Sequence, residues 1–339
     1  MTCRFFASLT AAVLIAAPVF LKAQPPVAKA AAKKNWTVPR TPDGRPDLQG
    51  IWTNATITRM ERLPEFNGKL DLTDEDASKF ERKDHDEGEE HPGQESVTLG
   101  GFKFSGTNAG YNVLFIDRGS ELARVDGKKR SSLIIDPPEG KVPPRVPRNN
   151  DGGTQARAAA FGMNFDNVKN RPVSERCLVG FGSTSGPPMM PVLYNNNYQI
   201  VQTPDAIMIL VEMVHDIRVI RMNGTHESPQ IRRWLGDSIG HWEGDTLVVD
   251  TTNFTNKTRF YGSSENLHVI ERFQRIDQGT ILYRVTIDDP ATWTKPWTME
   301  YPFLATKEPI FEYACHEGNY AMTDILGGAR KQESETGKQ

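Results

Sequence analysis

Cysteine is scarce, with Cys3, Cys177 and Cys315 the only three in 339 residues. This excludes a disulfide-dense scaffold and any Cys-x-x-Cys metal or redox centre. Neither sign of charge dominates. Lys and Arg total 40 against 43 Asp and Glu, a net charge of −3 with both signs mixed along the chain, so the basic footprint of a nucleic-acid binder is missing. Also absent are a phosphate-binding Gly-Lys-Ser/Thr loop, a haem-attachment Cys-x-x-Cys-His and a zinc-binding His-Glu-x-x-His. No cofactor or metal is therefore identified. The Gly-rich stretch Gly180–Gly186 carries Thr184 where a nucleophile elbow needs serine, and Pro187-Pro188 follows in place of a helix, so it reads as a loop.

Long apolar runs are absent too, except at the start. Arg4 precedes an apolar stretch from Phe5 to Leu21, and Leu21-Lys22-Ala23 follows the pattern of a cleavage site, which predicts a secretory signal peptide over residues 1–23. The stretch is shorter than the ~20 apolar residues of a spanning helix. No second run follows, so no transmembrane segment is expected after cleavage, and the protein is expected to be secreted or periplasmic. Residues 24–45 form a Pro/Ala/Lys linker and residues 331–339 a polar, disordered tail, leaving 46–330 as one β-rich domain. Loss of Cys3 with the signal leaves Cys177 and Cys315 to form one disulfide in an oxidising compartment. The rival reading makes Cys315 a metal ligand or nucleophile beside His316.

What is present from residue 193 onward is a series of short runs with period two, rich in Val, Ile, Thr and aromatics, which predicts an all-β, mainly antiparallel fold. Ile281, Tyr283, Val285 and Ile287 alternate with polar residues, and Asp277-Gln278-Gly279 offers a hairpin loop to a partner over Leu267–Ile276. The run from Ala206 to Val214 is apolar on both faces apart from Glu212, as a covered strand would be. Main strands over 193–320 and a long insertion over 63–192 complete the plan. The insertion contains one or two short helices, the first opening at Thr73 as N-cap. A β-barrel is the expected architecture, with a β-sandwich as the alternative.

Leu48-Gln49-Gly50-Ile51-Trp52-Thr53 carries a Gly-x-Trp opening and resembles the first strand of lipocalin-like (calycin) barrels. The resemblance implies an eight-stranded barrel enclosing one small ligand. Longer segments, PRTPDGRPDLQGIWTN over 39–54, GHWEGDTLVVDTTNF over 240–254 and YACHEGNY over 313–320, resemble those of an uncharacterised family of secreted bacterial proteins. That resemblance implies export and a shared fold. The family has no established reaction, so it lends no catalytic residues.

Chemistry is left to a scatter of imidazoles and carboxylates among the strands, which a barrel can gather from distant positions. His316 and Glu317 sit in a polar cluster with Cys315, and a disulfide there would hold them as a pre-organised pair. His215 lies on an apolar row beside Glu212, His241 beside Trp242 and Glu243, and His268 near Glu271 but on the strand face of Ile270. A His paired with a carboxylate serves as a general base or a metal ligand. Trp52, Trp242, Tyr313 and Glu212 are candidates to line a ligand site. Two functions follow: an exported barrel binding a small, partly apolar ligand in its interior, or a periplasmic hydrolase or lyase using His316 and Glu317 with His215, His241 and His268, with or without a metal. The oligomeric state is left open.

Overall fold

The computed structural model describes residues 36–89, 96–99, 102–105, 116–147, 164–180, 186–257 and 260–337. The expected signal peptide and the first part of the linker lie outside the described residues. Nine strands close into a barrel: β1 (Gly50–Thr53), β8 (Asn197–Gln202), β9 (Ala206–Val211), β10 (Ile217–Met222), β11 (Asp237–Glu243), β12 (Thr246–Thr252), β13 (His268–Asp277), β14 (Thr280–Asp288) and β15 (Trp297–Ala305). Closure comes from β1 and β15, where Trp52 faces Ala305 and Thr53 faces Leu304. The ring thus holds one strand more than the calycin resemblance implies. Neighbours run antiparallel, except that β10 and β11 are parallel, with Ile220 opposite Ser238. Residues 223–236 carry the chain between them.

The period-two pattern sets which side chains fill the ring. On β14, Ile281, Tyr283, Val285 and Ile287 are all fully buried, and the intervening residues face outward. The hairpin to β13 forms across Asp277–Gly279, where the Asp277 carboxylate accepts the Gly279 amide at 2.8 Å, a local bond that favours the turn. At the β11–β12 turn Gly244 takes φ +59°, a conformation natural to glycine. Strand β9 points Ile207, Ile209 and Val211 inward. Its outer residues Met208 and Leu210 pair with Val219 and Ile217 of β10, an apolar strip on the outer wall.

The insertion builds its own small elements. Helix α1 (Asp74–Glu89) is capped by Thr73, whose hydroxyl accepts the Asp76 amide at 3.1 Å. Strand β2 (Asp71–Leu72) pairs with β6 (Lys128–Arg130), which also pairs with β5 (Arg124–Val125); β3 (Ser96–Leu99) pairs with β4 (Phe102–Ser105). A second core of Ile57, Phe66, Leu72, Ala77, Phe80 and Leu122 lies under α1. Two pieces of the insertion join the barrel itself: β7 (Ile134–Asp136) pairs with β15, and Gly186–Met190 is buried against the interior.

Two expectations change. Residues 331–336 are not a loose tail but the last part of helix α2 (Ala321–Thr336), which buries no residue; its apolar positions, Met322, Ile325, Leu326 and Ala329, all precede residue 331. The run expected to continue to Val214 stops at Val211, because Val214 and His215 take positive φ of 60° and 46° in a 3-10 turn. Among the described residues no helix is long and apolar enough to cross a membrane.

Candidate functional site

The interior of a small barrel is normally filled by side chains, and most of this one is aromatic or aliphatic. Tyr283, Tyr301 and Phe303 pack with ring centroids 5.1–6.2 Å apart. Within this wall sit two charges. Arg218 of β10 and Glu271 of β13 pair through two bonds, Nη1 to Oε1 at 3.0 Å and Nη2 to Oε2 at 2.7 Å, with side chains 1% and 0% exposed. Burial opposes the charge on Arg218, and Glu271 outweighs it, holding the guanidinium above its ordinary pKa. The Tyr283 hydroxyl donates to Glu271 Oε1 at 2.8 Å. Burial, followed by the charge of Glu271, pushes its pKa well up, so it stays a neutral donor. Ser238 and Thr251 complete the polar end, 2.9 Å apart.

Gly186–Met190 covers this end. The Met189 carbonyl accepts from Asn54 Nδ2 at 2.9 Å and from the Tyr301 hydroxyl at 2.8 Å, and the Met189 N–H donates to the Tyr283 hydroxyl at 3.3 Å. Gly186 has φ +72°, and a Cβ there would stand 2.6 Å from Met189 Cγ and 3.1 Å from Arg218 Nη1. Only glycine lets the segment lie this close. Arg218 Nε and Asn54 Oδ1 are buried without a hydrogen-bond partner among the described residues.

The residues singled out in the sequence fall into separate places. Trp52 is buried in the barrel, its indole N–H donating to the Leu48 carbonyl at 2.9 Å and Arg275 lying 5.4 Å from its ring centroid. Trp242 is half-buried against the same core. Glu212, His215 and Tyr313 do meet. Glu212 accepts from Asn197 Nδ2 at 2.8 Å and from the Phe311 amide at 3.1 Å, while His215 Nδ1 lies 3.1 Å from the Tyr313 carbonyl. His215 is therefore exposed at a turn, not on a core row. Cys177 and Cys315 are bridged, with Cα atoms 5.8 Å apart, which removes the free Cys315 thiolate of the rival reading. His316 and Glu317 are exposed, and among the described residues no hydrogen bond reaches either side chain. His241 lies 3.2 Å from Glu243 on the outer wall.

His268 belongs to a second constellation, also on the outer wall. Its Nε2 lies 3.0 Å from both Asp250 oxygens, and His226 Nε2 lies 3.0 Å from Asp250 Oδ1. His226 Nδ1 is in turn 3.1 Å from Asp237, which also accepts from Arg221 at 2.7 Å and from the Glu227 amide at 2.8 Å. The result is a chain Asp237–His226–Asp250–His268, buried at Asp237 and open at His268. The bond to Asp250 raises the His268 pKa against burial, and the same bond, first among its causes, lowers that of Asp250. For Asp237, burial pushes upward, but the Glu227 amide, Arg221 and His226 together bring it down.

Sequence reasoning missed both constellations. Glu271 stands on the inward row of Val269 and Phe273, and Arg218 on that of Ile220; a charge on an apolar row was the available signal. Asp250 and His268 are on adjacent strands, recoverable from the β12–β13 register. His226 lies on the crossover, where no period operates. Among the described residues no group of three His, Cys, Asp or Glu is arranged to hold a metal ion. No protein-family model, no curated protein and no solved structure matches this chain.

Proposed function

We propose that the protein is an exported barrel that binds a small, partly apolar ligand in its interior, at the polar end formed by Arg218 and Glu271. This keeps the function implied by the lipocalin-like resemblance of Gly50-Ile51-Trp52. The observation that carries it is the fully buried ion pair in an aromatic interior. Desolvating two charges costs several kcal/mol each, and well-packed apolar residues of similar volume hold a core as firmly or better, so the fold alone does not call for the pair. A ligand with a polar head and an apolar body does. Arg218 Nε and Asn54 Oδ1 supply one further donor and acceptor beside it. Export is supported by the Cys177–Cys315 bridge, since disulfides persist in oxidising compartments.

Native mass spectrometry of the mature protein purified from the periplasm tests this. A retained small molecule is expected in the wild type and is lost in a folded Arg218→Met, Glu271→Leu variant. Ligand-free masses for both proteins would overturn the reading.

A second reading, an exported acid–base hydrolase or lyase, is favoured by the Asp237–His226–Asp250–His268 chain, which replaces His316 and Glu317 as its centre. It presents an imidazole whose protonated form is favoured by the adjacent Asp250 carboxylate, as suits a general acid. The raised His268 pKa means that its bond to Asp250 is worth most below about pH 6.5 and is lost as pH rises through the folded value. Asp250 is depressed, so its contribution is present above about pH 4 and is lost as pH falls through its folded value. The tie is therefore strongest between about pH 4 and pH 6.5. In an NMR titration Asp250→Asn is expected to return His268 towards the ordinary imidazole range. An unmoved His268 midpoint would remove Asp250 from the chain.

A further inference from the structure

The polar end of the interior already grips a chemical group, the main-chain N–H and C=O of one residue, Met189, and the direction of each bond is fixed by its surroundings. Tyr283 spends its proton on Glu271 at 2.8 Å, so toward Met189 it offers only a lone pair, suited to an N–H at 3.3 Å. Asn54 Nδ2 is a donor by nature and aims at the carbonyl at 2.9 Å. Tyr301, whose pKa burial drives well up, keeps its proton and donates to the same carbonyl at 2.8 Å. Pro187 and Pro188 carry no N–H of their own, so Met189 presents the first such donor after Gly186. The Met189 side chain is fully buried among the aromatic residues. One acceptor for the N–H and two donors for the C=O of the same residue, with an apolar slot alongside, describe a receptor for one residue of a peptide, its N–H and C=O coming from two successive amide groups.

Resting on the interior-binding reading above, we propose that the ligand class is a short, neutral, apolar peptide, bound through the N–H and C=O of one of its residues, and that Gly186–Met190 is its built-in competitor. An ester lacks the N–H that Tyr283 accepts, and a carboxylate would face the lone pair of Tyr283 and the charge of Glu271 behind it. Both should be rejected. The segment must leave for the ligand to enter, which couples binding to exposure of Gly186–Met190.

The test uses the full mature chain with Pro187–Met190 replaced by Gly-Ser-Gly-Ser, and the protein's own segment as probe, acetyl-Gly-Pro-Pro-Met-Met-amide. Calorimetry of the ligand-free proteins is expected to show saturable binding to this variant and much weaker binding to the wild type, whose own segment competes with the probe. Adding Tyr301→Phe, or replacing the first Met amide of the probe by an ester, is expected to weaken binding about two- to tenfold, as the loss of one hydrogen bond does. An ester probe that binds as tightly as the amide overturns the peptide class and leaves interior binding standing. Failure of both the peptide and the apolar dye anilinonaphthalene sulfonate to bind the folded variant overturns both. If the replaced chain does not fold, Met189→Ala serves instead: the peptide should raise its Tm saturably, and an unchanged Tm counts against the proposal.

Discussion

Glu271→Ala is expected to lower folding stability by about 3–5 kcal/mol, because it strands the Arg218 guanidinium in a dry interior. The paired variant Arg218→Met, Glu271→Leu should behave quite differently. It removes both charges and keeps the volume, leaving only the Tyr283 hydroxyl without its acceptor, and it should fall within about 2 kcal/mol of the wild type. Urea denaturation of the three proteins measures the contrast. A single variant as stable as the wild type would mean that water reaches Arg218. A double variant as damaged as the single one would mean that the pair holds the barrel together, and would weaken the case for a ligand.

Opening the Cys177–Cys315 bridge is the second large effect. The bridge spans 138 residues, for which the chain-entropy argument gives about 5 kcal/mol and experience with small secreted domains about 2–5. The double substitution Cys177→Ser, Cys315→Ser should show this as a lower Tm, and reductant should reproduce it in the wild type. A local effect should accompany the global one. Beyond β15 the described contacts that hold the chain back to the barrel include Glu212 with the Phe311 amide and His215 with the Tyr313 carbonyl, so protease should cut between residues 306 and 320 first. Equal Tm values and an unchanged cleavage pattern would show the bridge to be idle.

The sequence made the barrel legible where strands are half-buried. Ile281 to Ile287 alternate because one face meets the core, and Asp277–Gly279 turns because Asp277 can bond its own backbone. The bridge was legible from arithmetic on cysteines. The cover of the polar end and the crossover histidine were not, because they come from segments without a period. Gly186–Met190 is a short apolar run that reads as a loop whether it lies outside the barrel or inside it. His226 reaches Asp237 and Asp250 across 11 and 24 residues, and only the return path of the chain brings them together. His215 misled because the apolar row continues in the sequence past the point where the backbone leaves the strand.

That return path has a cause in simple parity. A closed ring of an even number of strands can alternate direction all the way round; a ring of nine cannot, and at least one neighbouring pair must point the same way. Here the mismatch falls between β10 and β11. A chain that finishes one strand and starts a parallel neighbour has to travel back to the opposite rim, and with the lumen packed it can do so only over the outside. Residues 223–236 make that journey, which lays His226 over Asp237 and Asp250. An even ring would have been free to close without such an overpass. The ninth strand, an apparent irregularity of architecture, is thus what places an imidazole on the outer wall.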